Sequence, residues 1–145
     1  MRKFEKVSYN NTGILPTRSD TRSAGYDIYS TEDKWIYPNS VEKFTTNIKV
    51  YMEPDEVLMI YPRSSVGIKM NLMLANTTGV IDSSYVDNKD NEGNIIVALF
   101  NYGNKPQQIK AGERIAQGVF MKYLITDDDN TKNTERSGGI GSSGR

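Results

Sequence analysis

The apolar residues of this chain come in short runs, and the runs show no helical period. They are rich in β-branched and aromatic residues: WIYP (35–38), VEKFTTNIKVYM (41–52), VLMIYP (57–62), MNLMLAN (70–76), NIIVALFNY (94–102) and RIAQGVFMKYLI (114–125). Turn-forming stretches divide them: PNS (38–40), EPDE (53–56), NTTG (76–79) and NYGNKP (101–106). Short strands at this spacing, with no helices between them, predict an all-β sandwich or barrel. Within the second run, FTTNIKVYM alternates with period two, as a half-buried strand does. The continuous run from Ile95 to Leu99 predicts a strand buried on both faces.

A length of 145 residues suits one domain with a single core. No internal repeat and no second domain is visible. Two polar segments read as mobile: VDNKDNEGN (86–94), between strands, and TDDDNTKNTERSGGIGSSGR (126–145). The expected organisation is therefore a β-domain over residues 1–125 and a flexible C-terminal arm over 126–145. Four of the twelve glycines lie in the last ten residues, too little apolar surface there to offset the entropy of ordering. Asp127, Asp128 and Asp129 read as a solvated run, because three adjacent carboxylates do not converge on one point.

Composition narrows the chemistry. Lys plus Arg and Asp plus Glu both number 18, so overall charge gives no footprint for nucleic acid or a membrane surface. The chain has no Cys and no His, which removes thiolate chemistry, disulfides, the commonest general base and the commonest metal ligand. Acid–base work must come from Asp, Glu, Lys or Tyr, and any metal must take oxygen ligands, some from a substrate. No leader and no apolar run of membrane-spanning length is visible, so the expected location is the cytoplasm, that of the host if the gene is a phage's.

Four stretches carry candidate chemistry. In YPRSSVGIK (61–69), Arg63 offers a bidentate fork, Ser64 and Ser65 offer hydroxyl and backbone donors, and Gly67 permits close approach. The stretch reads either as an anion cradle after a strand or as a polar turn with a salt-bridged arginine. In NTTGVIDSSY (76–85), Asp82 follows Val80 and Ile81 on a hairpin and reads either as a residue serving the turn or as a fixed carboxylate, which without histidine is the best available base for activating water. AGYDIYS (24–30) places Asp27 ahead of a strand, and AGERIAQGVF (111–120) carries Arg114 and Gln117 into another. An arginine on a strand usually pairs with a carboxylate, and periodicity leaves the role of Gln117 open.

Taken in order, AGYDIYS, PRSSVGIK, GVIDSSY, GERIAQ and RSGGIGSSG resemble the five-motif set of trimeric dUTP diphosphatases (dUTPases), of the phage or bacterial type, over residue 24 to the C-terminus. The resemblance implies a distorted jelly roll of the β-clip kind, assembled as a homotrimer with shared active sites; from the balanced charge no nucleic-acid partner is expected. It implies Mg²⁺-assisted hydrolysis of dUTP to dUMP and diphosphate, which limits uracil in DNA and supplies dUMP for dTMP synthesis. Asp82 would activate the water that attacks the α-phosphorus. Arg63, Ser64, Ser65 and Gln117 would hold the triphosphate, with Asp27 at most ordering a metal-bound water. Asn76, Gly79 and Ile81 would surround the base, and Tyr85 would pack under the deoxyribose. Arg136, Ile140, Gly141, Ser142 and Ser143 fall on the fifth motif, an arm that in the family closes over a neighbouring subunit's site.

The chain departs from the pattern twice. Ile140 stands where the family usually has an aromatic ring, and VDNKDNE (86–92) is inserted before Gly93. The insert is expected either as a tolerated loop or as a segment that shapes the site mouth or meets a protein partner through 86–94. The related dCTP deaminases need a glutamate on the following strand, where this chain has Ala98; that activity, and a partner-binding regulator on the same scaffold, are the alternatives.

Overall fold

The computed structural model describes residues 1–132 and 136–142. These form eleven strands and one short helix, in the order β1 (Lys3–Lys6), β2 (Tyr26–Tyr29), β3 (Lys34–Ile36), β4 (Val41–Thr45), β5 (Ile48–Tyr51), β6 (Glu56–Pro62), α1 (Ser64–Met70), β7 (Leu72–Leu74), β8 (Gly79–Asp82), β9 (Ile96–Asn101), β10 (Gln107–Ile109) and β11 (Arg114–Lys122). Every paired strand is antiparallel. A four-stranded sheet has the order β2-β11-β6-β8, a three-stranded sheet β4-β9-β7, and β1-β5 and β10-β3 form two-stranded ribbons. This is an all-β fold of the jelly-roll kind, as the sequence predicts. Ile28, Phe44, Leu58, Leu74, Leu99 and Ile115 meet in one core between the sheets.

The run 41–52 is two strands, not one. Asn47 adopts a left-handed backbone (φ 60°), and its N–H donates to Asn94 Oδ1 at 2.9 Å. Asparagine tolerates this conformation better than most residues. The bend hands the chain from pairing with β9 to pairing with β1, so the period-two pattern breaks: Ile48, Lys49 and Val50 are all buried. The strand expected to be buried on both faces instead alternates. Val97, Leu99 and Asn101 point into the interior, while Ile96, Ala98 and Phe100 are only half-buried. β11 stops at Lys122, leaving Tyr123, Leu124 and Ile125 exposed.

Residues 64–70 form a helix where the sequence predicts a loop. Val66 is its one buried residue, and Asn71, left-handed at φ 55°, closes it by donating its N–H to the Val66 carbonyl. β1 was not legible either. Its single apolar residue, Phe4, earns a strand by packing on Tyr26 and Phe120, with ring centres 5.4 and 5.7 Å away. Asp27, expected ahead of a strand, lies inside β2.

The 86–94 segment is a hydrogen-bonded knot rather than an open polar loop. Lys49 Nζ lies 2.7 Å from Asp87 Oδ1 and 3.1 Å from Glu92 Oε2, and Tyr51 donates to Asp87 at 2.7 Å. Glu92 in turn accepts from the Ser8 N–H at 2.7 Å and from the Ser8 hydroxyl. Burial by itself would lower the Lys49 pKa, but the hydrogen bonds it donates to Asp87, Tyr51 and Glu92 outweigh it and raise the ammonium above its ordinary value. The Ser8 hydroxyl and N–H, with Lys49 behind them, pull Glu92 down to about 2.

Candidate active site

Most of the residues singled out from the sequence line one of two cavities; Arg114 and Ser142 line neither. The first, about 330 Å³, lies beside β8 and is lined by Asn76, Gly79, Ile81, Asp82 and Tyr85, with Ile96 and Ala98 from β9 and Arg136, Ile140 and Gly141 from the arm. Its size suits a small ligand. The second is lined by Asp27, Arg63, Ser64, Ser65, Lys69 and Gln117, with Ser19, Ser23 and Gly25. Among the described residues none lines both.

In the first cavity Asp82 ends β8 with its side chain exposed, and its carbonyl accepts from the Tyr85 N–H at 3.1 Å. That tight turn buries the Tyr85 ring (7% exposed) as part of the cavity wall. The Tyr85 hydroxyl donates to the Asn94 carbonyl and accepts from Asn91 Nδ2, both at 2.8 Å. Burial pushes its pKa up, so it stays a neutral phenol. Asn76 is exposed at the turn before β8. Ala98 brings no acid to the cavity, and Asp82 is its one carboxylate among the described residues.

The second cavity gathers two cationic side chains and several hydroxyls around one carboxylate. Asp27, 8% exposed, lies 3.5 Å from Arg63 Nε and 3.4 Å from Arg114 Nη1, and accepts from Ser19 at 3.3 Å. Arg114 thus pairs with a carboxylate, and Arg63 is steered toward the cavity beside Ser64 and Lys69. Gln117 donates to the Pro62 carbonyl at 3.4 Å. A Cβ on Gly25 would stand 2.3 Å from Gln117 Oε1, so any side chain there pushes this amide aside. Ser19, Ser23 and Lys69 were missed in the sequence. Nothing marks the two serines, while Lys69 closes the stretch that supplied Arg63. Among the described residues no three His, Cys, Asp or Glu side chains gather to hold a metal.

The cavities are separated by strand register. β6 pairs Val57 with Asp82 on one side and Tyr61 with Gln117 on the other. Four residues along a strand is about 13 Å, and two strand spacings add about 10 Å across the sheet. The candidate base and the candidate anion cradle of one chain therefore do not face one point.

Within the arm, Arg136, Ile140 and Gly141 line the first cavity. Arg136 Nε and Nη2 donate to the Gly138 and Gly139 carbonyls, each at 2.7 Å, and its guanidinium sits 5.1 Å from the centre of the Tyr85 ring. Ser142 Oγ donates back to Gly138 O at 2.9 Å. Ile140 is 73% exposed at the cavity mouth. Ser143 lies outside the described residues.

A family model described as dUTPase matches residues 11–144. This chain belongs to the dUTPase family. A deoxyuridine 5'-triphosphate nucleotidohydrolase of Lactococcus lactis is 44% identical over 99% of this chain and 98% of its own length. One from Haemophilus influenzae is 36% identical over 90% of this chain and 87% of its own. Among solved structures, a dUTPase from Streptococcus mutans superposes with a TM-score of 0.81 at 37% identity, covering 86% of this chain and 98% of that one. The family accounts for the order of the five motifs, and the two cavities show which of them one chain brings together: the third with the fifth, and the first with the second and fourth. No helix among the described residues is long and apolar enough to cross a membrane.

Proposed function

We propose that the chain hydrolyses dUTP to dUMP and diphosphate at a site completed by neighbouring copies in a homotrimer. The observation that carries this reading is the division of the motifs: nucleoside-sized cavity and carboxylate in one place, anion cradle in another. A symmetric ring that sets the Asp82 side of one copy against the Arg63–Gln117 side of the next joins them without new elements.

At that junction Asp82 accepts the proton of a water as its oxygen attacks the α-phosphorus, and the diphosphate leaves. Arg63, Ser64, Ser65 and Gln117 hold the triphosphate oxygens and stabilise the charge that develops during transfer. Asn76, Gly79 and Ile81 border the base, Tyr85 supports the sugar, and the arm, residues 126–145, closes over both. Mg²⁺, when bound, neutralises phosphate charge. The described residues offer it no carboxylate cage, which suits an ion held mainly by substrate and water, with Asp27 the one acid in the cradle able to order such a water.

Purified chain incubated separately with dUTP and dCTP tests the reading. Diphosphate release from dUTP alone is expected. Asp82→Asn should lower kcat by about 10²–10⁴-fold while dUTP still binds. Deamination of dCTP, or undiminished kcat in the variant, would overturn it.

A further inference from the structure

We infer that the 86–92 loop is the latch of the C-terminal arm, and that Asp90 is the positioning residue that sets where the arm closes. The inference rests on the hydrolytic reading above for its activity readout, but its geometry stands independently.

The loop is braced on both sides. Lys49 and Ser8 fix Asp87 and Glu92 from outside. Asn88 fixes the turn from within: its Oδ1 accepts the Asp90 and Asn91 N–H groups at 3.0 and 3.1 Å, and its Nδ2 donates to the Tyr85 carbonyl at 2.8 Å. Asn91 reaches the Tyr85 hydroxyl. The loop is thus tied to the ring that walls the first cavity. Asp90 binds the arm from this frame: its Oδ2 accepts the Gly139 N–H at 2.7 Å.

The arm is shaped to meet that carboxylate. A Cβ on Gly138 would lie 2.6 Å from Asp90 Oδ2, a separation that real contacts do not show. Gly138 and Gly139 are both buried there, in a segment whose composition gives no reason for burial. A carboxylate accepting a backbone N–H is a strong, charge-assisted bond. It fixes the stretch that places Arg136 over Tyr85 and Ile140 at the cavity mouth.

The test compares Asp90→Ala and Asp90→Asn, each in the full chain and in a chain ending at Lys132. Two readouts are taken: the rate of tryptic cleavage at Arg136, followed by mass spectrometry, and kcat/KM for dUTP. In the full chain Asp90→Ala should speed cleavage and lower kcat/KM, each about tenfold, and Asp90→Asn, which keeps a carbonyl acceptor, should recover part of both. In the chain ending at Lys132 neither substitution should change kcat/KM further. Gly138→Ala, outside the core, should reproduce the cleavage result from the arm side. Unchanged cleavage in both Asp90→Ala and Gly138→Ala overturns the latch, as does an equal loss of kcat/KM with the arm absent. Failure to hydrolyse dUTP at all would refute the hydrolytic reading and leave the cleavage rates to decide the latch.

Discussion

The Arg136 guanidinium lies over the Tyr85 ring at 5.1 Å, while two of its nitrogens are bound to the Gly138 and Gly139 carbonyls of its own arm. Arginine does this because its fork is planar and stacks; the lysine ammonium is a point charge that does neither. Arg136→Lys keeps the charge and removes the staple. Its kcat/KM for dUTP should fall at least tenfold, in line with losing the stacked guanidinium plane and two carbonyl hydrogen bonds worth about 1–3 kcal/mol together. A lysine variant with full activity would show that charge alone is what this position supplies.

Gly25 faces a harder constraint. Its missing Cβ leaves room for Gln117 Oε1, which would otherwise be 2.3 Å away. The amide is the far end of a flexible side chain, so Gly25→Ala should displace Gln117 rather than unfold the sheet. Turnover of dUTP should drop by more than tenfold through loss of a triphosphate donor, with Tm changed little. A large fall in Tm with kcat preserved would contradict this.

The strands that run past one another in the core could be read from the sequence, because Leu58, Leu99 and Ile115 sit in apolar runs long enough to show. The helix could not. Val66 and Met70 are four apart, but a seven-residue segment holding a glycine offers no second turn to establish a period. The 86–92 loop failed for the opposite reason. Its polar residues imply a solvated segment only until Lys49 and Ser8 arrive from elsewhere in the chain, and composition does not contain those partners. The candidate site residues stand out one by one through motif order. That they divide between two cavities is set by the register of β6 with β8 and β11, which motif order does not encode.

The brace on the loop should have a pH signature. Glu92 titrates at about 2 in the folded chain against 4.5 for the free side chain, because Ser8 and Lys49 favour its charged form. The folded state therefore binds this proton more weakly than the unfolded state. The stability it contributes is complete above about pH 4.5 and is lost as the pH falls toward 2. Asp87, lowered by Lys49 and Tyr51 against the opposing effect of burial, works in the same direction. Thermal melts of the native chain and Glu92→Gln should differ most at neutral pH and converge between pH 4.5 and 2. A constant difference across that range would refute the assignment.

The separation of Asp82 from the cradle yields the sharpest prediction. If each site takes its base from one copy and its phosphate donors from another, two inactive chains can repair each other. Asp82→Asn leaves the cradle intact, and Arg63→Ala leaves the base intact, with Asp27 still paired to Arg114. Each alone should be nearly inactive. Unfolded together in equal amounts and refolded, they form mixed trimers in which random assembly pairs an intact Asp82 with an intact cradle at about a quarter of the junctions. Activity should return to about that fraction of the native level, and it should stay absent when the variants are refolded apart and then mixed at once. Were each site built within one chain, no mixture would recover activity, because every copy would carry one damaged half.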